Sequence, residues 1–416
     1  MNDSSLPKQI QQATAWLDAQ SDSLLQTLTR WCEQNSWSGN VDGLQAMADL
    51  LEADFKPLGL VCERLRLPPW ESIGDAGETI QHETGPALVW HLRPAASKRV
   101  LLLIHYDTVY PPASIPDTVV ISGDGRLVGP GVADAKGGIA IIRFALQAII
   151  RFQLAEDLGI TVMLNPDEEV GSQSSATLFH AMAPQFDFAL VFEPRLPDGA
   201  MVANRMGTAN FTAIIHGRSA HAGRNLSDGR NAVVHAARLA VELDGWNKRR
   251  LQLSHASDSH ISVNVGKITG GGPLNQVPSF STLSFNVRVA TLSHVKEVVE
   301  RMNDIEQRYS AADGFTCKVF GQFHSPPKLV DGDAKFNDLR CRFLDAAAHC
   351  GGNVVWRDTG GACDGSKLAA LGLPNLDTMG PTGGDLHSPA EYCLTASLVT
   401  AAKTLVHLIA NVGGEP

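Results

Sequence analysis

The run Asn165-Pro-Asp-Glu-Glu-Val-Gly-Ser172 follows directly on Gly159-Ile-Thr-Val-Met-Leu164. The first six residues form an apolar stretch that reads as a buried strand. Two adjacent glutamates at the end of such a strand make poor packing. Their like charges repel, and a carboxylate buried without a partner costs free energy. The pair makes sense if one glutamate binds a cation and the other handles protons. Glu168 and Glu169 therefore set the question for the rest of the chain.

Upstream lie two more strands, Ala87–Leu92 and Arg99–Ile104. The second is almost wholly apolar, as expected of a central strand covered on both faces. It ends in His105-Tyr-Asp107. A lone histidine at a strand end is ordinarily structural. Asp107 changes that reading, because residues i and i+2 share one side of a strand and the carboxylate can brace the imidazole. Next comes Gly129-Pro-Gly-Val-Ala-Asp-Ala-Lys-Gly-Gly138, then a helix by apolar spacing over 139–152. Asp134 reads plainly as a helix cap. Four glycines around it suggest a backbone that approaches something closely. Phosphate is excluded: there is no Gly-x-x-x-x-Gly-Lys-Ser/Thr pattern, and a central acid repels it. A cation suits Asp134 better. Downstream, the strand Phe188–Phe192 ends in Glu193, and the glycine-rich run Gly380–Tyr392 carries His387. In open α/β sheets functional groups gather beyond the strand ends. One such acid or histidine would be weak evidence; the repetition is hard to explain as packing.

The flanking sequence fits this frame. Residues 8–57 read as helices, 58–65 as a strand and the polar piece 68–86 as a loop. From about Arg205 the pattern changes to strand, helix, strand, strand, helix, strand (208–217, 231–243, 260–268, 281–289, 294–309, 315–320), a small α+β unit. After Ser325-Pro-Pro327 the first pattern resumes, with helices at 336–349 and 395–410 and a short strand at 373–377. The expected fold is α/β, with a central mixed, mainly parallel sheet flanked by helices. Residues 1–204 and 322–416 form its discontinuous catalytic part, and 205–321 an inserted unit.

At 416 residues the chain is too long for one ordinary core. Its 44% hydrophobic and 19% charged residues are ordinary for a globular protein. A net charge of −10 without a basic cluster argues against nucleic acid as a partner. No run approaches the roughly 18 apolar residues of a membrane span, and the N-terminus lacks a signal-peptide pattern. Seven scattered cysteines without Cys-x-x-Cys fit free thiols and a cytoplasmic setting, and make thiolate ligation of zinc unattractive.

His105, Asp134, Glu169, Glu193 and His387 make two imidazoles and three carboxylates, a donor set for two borderline ions such as zinc, with cobalt or manganese as alternatives. Five ligands serve two ions if one carboxylate bridges, and Asp134, flanked by glycines, is the choice. Two ions about 3.5–4 Å apart are typical of metal-assisted hydrolysis. Glu168, beside a ligand but not itself one, is placed to take a proton from water and pass it to a leaving nitrogen.

The motifs Ile104–Pro111, Gly129–Gly138, Asn165–Ser172, Phe192-Glu-Pro194 and His387-Ser388 resemble those of the dinuclear-zinc metallopeptidase family that includes carboxypeptidase G (glutamate carboxypeptidase), acetylornithine deacetylase and succinyl-diaminopimelate desuccinylase. The resemblance runs from about Trp31 to Leu408 and is nearest to the glutamate carboxypeptidase branch. It implies that His105 and Glu193 hold one zinc, Glu169 and His387 the other, and Asp134 both. It also implies that Asp107 orients His105 and Glu168 is the general base. The insertion becomes a ferredoxin-like lid that also forms a homodimer. On it, Ser219-Ala-His-Ala-Gly223 resembles a loop whose histidine, His221, reaches a neighbouring subunit's active site to stabilise an oxyanion. Asn275 and Arg288 resemble residues that hold the substrate's free carboxylate, a task that suits the planar guanidinium. Two departures touch the site loops: Ala135 replaces a larger residue and Cys363 a Ser or Thr. The expected activity is cleavage of an amide next to a free carboxylate, with C-terminal glutamate as the favoured leaving residue. An N-acyl amino-acid deacylase or desuccinylase is the alternative, and an inactive metal-bound binding protein a remote one.

Overall fold

The computed structural model describes residues 6–115, 118–252 and 261–413. The strand Lys98–His105 explains the unbroken apolar run. Val100, Leu102 and Ile104 point into one apolar layer, Leu101 and Leu103 into another. Successive side chains alternate sides, so such a strand needs cover on both faces. The same division holds for Leu88 and Trp90 against Ala87 and Val89, and for Phe188 and Leu190 against Ala189 and Val191.

These strands lie in a six-stranded sheet ordered Cys62–Leu65, Ala87–Leu92, Leu158–Asn165, Lys98–His105, Phe188–Val191, Asn375–Leu376. The first two junctions are antiparallel and the other three parallel. One face is covered by helices Leu6–Ala19, Ser21–Glu33, Val41–Phe55, Lys136–Arg151, Ala334–His349 and Thr395–Gly413, the other by the short helices Ala176–Met182 and Asp364–Ala370. His105 pairs in register with Asn165, and Leu103 with Val191. The ends of three neighbouring parallel strands therefore bring His105, the Glu168–Glu169 turn and Glu193 side by side.

Residues 207–325 build a second sheet with its own core. Its antiparallel order is Ile261–Gly270, Phe280–Val289, Gly207–His216, Thr316–Ser325. Helices Ala232–Gln252 and Leu292–Ala311 share a core with Phe211, Ile215, Leu283, Phe285 and Val287 on one face of it. This is the ferredoxin-like arrangement. Residue 260, where the sequence reading began one of these strands, lies outside the described residues, as do the chain ends 1–5 and 414–416.

Four local features differ from the reading. Pro68–Pro86 is not all loop: Trp70–Ile73 and Thr79–His82 form a hairpin in which Trp70 stacks on His82 at 4.0 Å. The last strand of the insertion runs past residue 321 to Ser325, because Gly321 (φ 131°) lets the chain pass where a Cβ would stand 2.1 Å from the Asn210 carbonyl oxygen. Asp364–Ala370, to which the sequence assigned no element, is a helix, and Trp356–Thr359, likewise unassigned, is a strand paired with Met201–Arg205. The helix Thr395–Gly413 is long and apolar enough to cross a membrane by length and composition. Its apolar side chains, among them Leu398, Leu405, Leu408 and Ile409, are buried in the sheet's helix-covered core. The seven cysteines are free thiols.

Candidate metal centre and active site

Every polar side chain of Asn165–Ser172 except the glutamates is committed to holding the turn. Asn165 donates to Asp364 at 2.8 Å, and the Ser172 hydroxyl donates to the same carboxylate, which also receives Lys367 at 2.6 Å. Asp167 accepts from the Ser174 and Ser175 amides at 2.8 and 3.1 Å. Asp107 holds the glutamates by their backbone: its two oxygens accept the Glu168 and Glu169 N–H groups at 3.1 Å each, and Oδ2 accepts the Ser38 hydroxyl at 2.7 Å. His105 Nδ1 bonds the Asp107 backbone carbonyl at 3.1 Å and lies 3.2 Å from the Asp107 carboxylate, so one buried residue fixes both the imidazole and the glutamate turn.

Asp134 stands between two groups of ligand atoms. Its Oδ1 is 3.1 Å from His105 Nε2, which is 3.8 Å from Glu193 Oε2. Its Oδ2 is 3.3 Å from His387 Nε2, which is 3.3 Å from Glu169 Oε2. The two sets, His105–Asp134–Glu193 and Asp134–Glu169–His387, each bring three ligand atoms together, and Asp134 belongs to both.

The electrostatics fit cations. Glu169 Oε1 and Glu193 Oε1 are buried with no hydrogen-bond partner among the described residues. Burial, with the charge of Asp134, pushes Glu169 up to about 7. Burial pushes Glu193 up to about 8, with His105 opposing and Asp134 adding. Glu168 is pushed well up by burial and then by the Glu193 and Asp364 charges. Asp134 is held below the usual carboxylate range: burial opposes its charge, but bonds to His105 and His387 outweigh it. His387 is raised to about 11 by its bonds to Asp134 and Glu169. Three close carboxylates, two of them with an unpartnered oxygen, and two imidazoles suit two divalent ions, which would neutralise the excess negative charge.

The other expected residues lie elsewhere. His221 and Asn275 are exposed on adjoining loops of the insertion, joined by the Ala222 N–H to Asn275 carbonyl bond at 2.9 Å. Neither makes a described contact with the ligand groups. Arg288, on the strand Phe280–Val289, donates to the Gly360 carbonyl at 2.5 Å, which ties the second sheet to the part of the chain that carries the main sheet. The sequence reading missed Ser38, which lies in an unremarkable segment between helices, and Glu391, which stands near the end of the run that contains His387.

A mixed α/β sheet with two carboxylate–histidine groups sharing one aspartate at its strand ends defines a hydrolase centre of the metallopeptidase kind. The chain belongs to peptidase family M20/M25/M40, whose profile matches residues 101–411. It is a metallopeptidase- or amidohydrolase-type hydrolase. It is 26% identical to carboxypeptidase G2 of Pseudomonas sp. (strain RS-16), over 94% of this chain and 89% of that protein. Identity to the succinyl-diaminopimelate desuccinylase of Acidovorax ebreus (strain TPSY) is 27%, over 88% of this chain and 93% of the relative. The fold matches Bacillus subtilis YXEP, described as a dinuclear metal binding peptidase of the M20 family, with a TM-score of 0.65 and 13% identity, covering 95% of this chain and 99% of that one.

Proposed function

We propose that this enzyme hydrolyses an amide next to a free carboxylate and releases a C-terminal amino acid, glutamate foremost, from N-acyl or peptidyl substrates. The observation that carries this reading is Asp134, with one oxygen toward each histidine-containing group and Glu168 beside them. His105, Glu193 and Asp134 would hold one divalent ion, and Glu169, His387 and Asp134 the other, with zinc the expected metal. When bound, the ions supply Lewis acidity to the scissile carbonyl and acidify a water. Glu168 takes the proton of the attacking water and delivers it to the leaving nitrogen. Asp107 keeps the His105 ring and the Glu168 backbone fixed while this happens.

The insertion is proposed as a lid. Arg288 and Asn275 on it would receive the substrate's carboxylate. His221, exposed on its loop, would serve the active site of a second copy, which requires a homodimer through this unit. Within the described residues the strand Ile261–Gly270 has a sheet neighbour on one side alone, and Val234 and Val241 are exposed on the adjoining helix. Sedimentation of the purified protein as a monomer at micromolar concentration would remove the shared-site role of His221.

The likeness to a desuccinylase favours a second reading, an N-acyl amino-acid deacylase using the same centre. One experiment separates the two: mass-spectrometric analysis of zinc-loaded enzyme with a panel of N-acyl and N-aminoacyl amino acids varied in both halves. Release of glutamate from many acyl groups supports the carboxypeptidase. Release of many amino acids from one acyl group supports the deacylase. No release at all puts the weight on a substrate outside the panel or on lost catalysis.

A further inference from the structure

Four hydrogen bonds converge on Glu391, which is 1% exposed. Its Oε1 accepts the Ala133 and Asp134 N–H groups at 3.0 Å each. Its Oε2 accepts the Gly131 N–H at 3.1 Å and the Tyr110 hydroxyl at 2.7 Å. The Tyr110 oxygen is also 3.1 Å from the Ser388 carbonyl oxygen, and the Glu391 carbonyl accepts the Gly129 N–H at 3.1 Å. Glu391 thus joins three loops: the one after His105, which carries Tyr110; the glycine-rich one, which carries Asp134; and its own, which carries His387.

We infer that Glu391 is a positioning residue that sets the placement of Asp134 against His387, and so the affinity of the second of the two metal positions. This rests on the two-ion reading above. Backbone N–H groups of one turn that point at one spot form an anion cradle. Here the cradle is filled by a carboxylate of the same chain, so the turn presents its amides to Glu391 and its Asp134 side chain to the ligand groups. The amide of Asp134 is itself held, which fixes where its Cα stands. The two positions depend on this support unequally. His105 is buried and braced by Asp107. The His387 side chain is 54% exposed and its ring contacts Asp134 and Glu169. Its loop is tied to the Asp134 loop by Glu391 and by pairing of Tyr392–Leu394 with Arg126–Val128.

The test is zinc titration of chelator-treated Glu391→Gln against a chromophoric competitor, with melting of the metal-free variant measured alongside. Gln keeps the size of the side chain but turns one acceptor oxygen into a donor that faces other donors. The expected result is two ions bound by the parent and unequal weakening in the variant: one ion about 10–100-fold weaker, a usual size for loss of a group behind a ligand, the other within about threefold. At saturating zinc, kcat recovers and KM is unchanged, since Glu391 does not face substrate. Glu391→Ala should weaken the same ion further, and Tyr110→Phe, which removes one of the four bonds, less. A parent that binds two ions and a Gln variant that binds both in the parental affinity ratio, with its melting temperature lowered or not, overturns the inference and leaves the two-ion reading standing. A parent that binds no zinc overturns both.

Discussion

Asp134 carries most of the information at the scale of single residues. The bland reading, a helix cap, fails because its two oxygens face two different imidazoles. Among the described residues the Glu168 side chain makes no such bond, which suits a base. Glu168→Gln is expected to bind zinc with parental stoichiometry and lose about 10²–10⁴-fold in kcat; parental turnover would remove it as the base. The buried acids also give a pH prediction. With Glu169 and Glu193 at about 7 and 8, the metal-free folded chain holds protons that the unfolded chain releases near 4.5. His387, raised to about 11, acts in the same sense above 6.5. Bound protons then favour the folded state, so its stability should fall as pH rises from about 5 to 8.5. Zinc must displace these protons. Calorimetry at pH 7 in buffers of different ionisation enthalpy should show proton release, and zinc affinity should rise with pH. The grouping of the five candidate ligands with Glu168 was legible because each sits at a strand end or in a glycine-rich turn where packing gives no reason for it. Ser38 and Glu391 were not: Ser38 meets Asp107 across 69 positions and Glu391 meets the Asp134 amide across 257.

Elements explain how those residues stay in place. The helix Lys136–Arg151 starts two residues after Asp134, with Ala135 at its cap position, and runs against the end of the strand Phe188–Val191. A Cβ on Gly138 would stand 2.3 Å from the Phe192 carbonyl oxygen and 2.9 Å from its Cβ. Gly138→Ala is therefore expected to push the helix off the strand end that bears Glu193, at a cost of about 1–3 kcal/mol. A lower midpoint in urea together with weaker zinc binding would show it; an unchanged midpoint would mean the helix start yields freely. The strands of the main sheet were readable because a run apolar on both sides has few other uses. The hairpin Trp70–His82 was not, because its tip is accommodated by a distant surface: Gly77 lies against Phe280 and Ile214, and Asp75 pairs with Lys267 at 2.5 Å. The apolar helix Thr395–Gly413 shows the same limit from the other side, since composition cannot tell a core helix from a membrane span.

Across the whole molecule, the two connections to the insertion meet at one point. Arg205 and Lys328 pair through their backbones, with N–H to carbonyl bonds of 2.9 and 3.0 Å, and their side chains end on Asp377, at 2.8 and 2.9 Å. Asp377 is fully buried, and Arg205 and Lys328 nearly so. Asp377→Ala leaves two buried cations without their counter-charge and is expected to cost about 3–5 kcal/mol, read as a fall in the denaturation midpoint. A loss under about 1 kcal/mol would mean that water replaces the carboxylate. The sequence by itself determined the apolar strands, the change of pattern at the second sheet and the donor set of the candidate metal centre, because periodicity and glycine-rich turns are local and carboxylates at strand ends are costly without a purpose. The tertiary structure decided which oxygen of Asp134 faces which histidine, that Asp107 holds the glutamate turn as well as His105, and that Asp377 anchors both connections. Each of those depends on groups tens to hundreds of residues apart brought within hydrogen-bond distance by sheet register, and no local pattern encodes that distance.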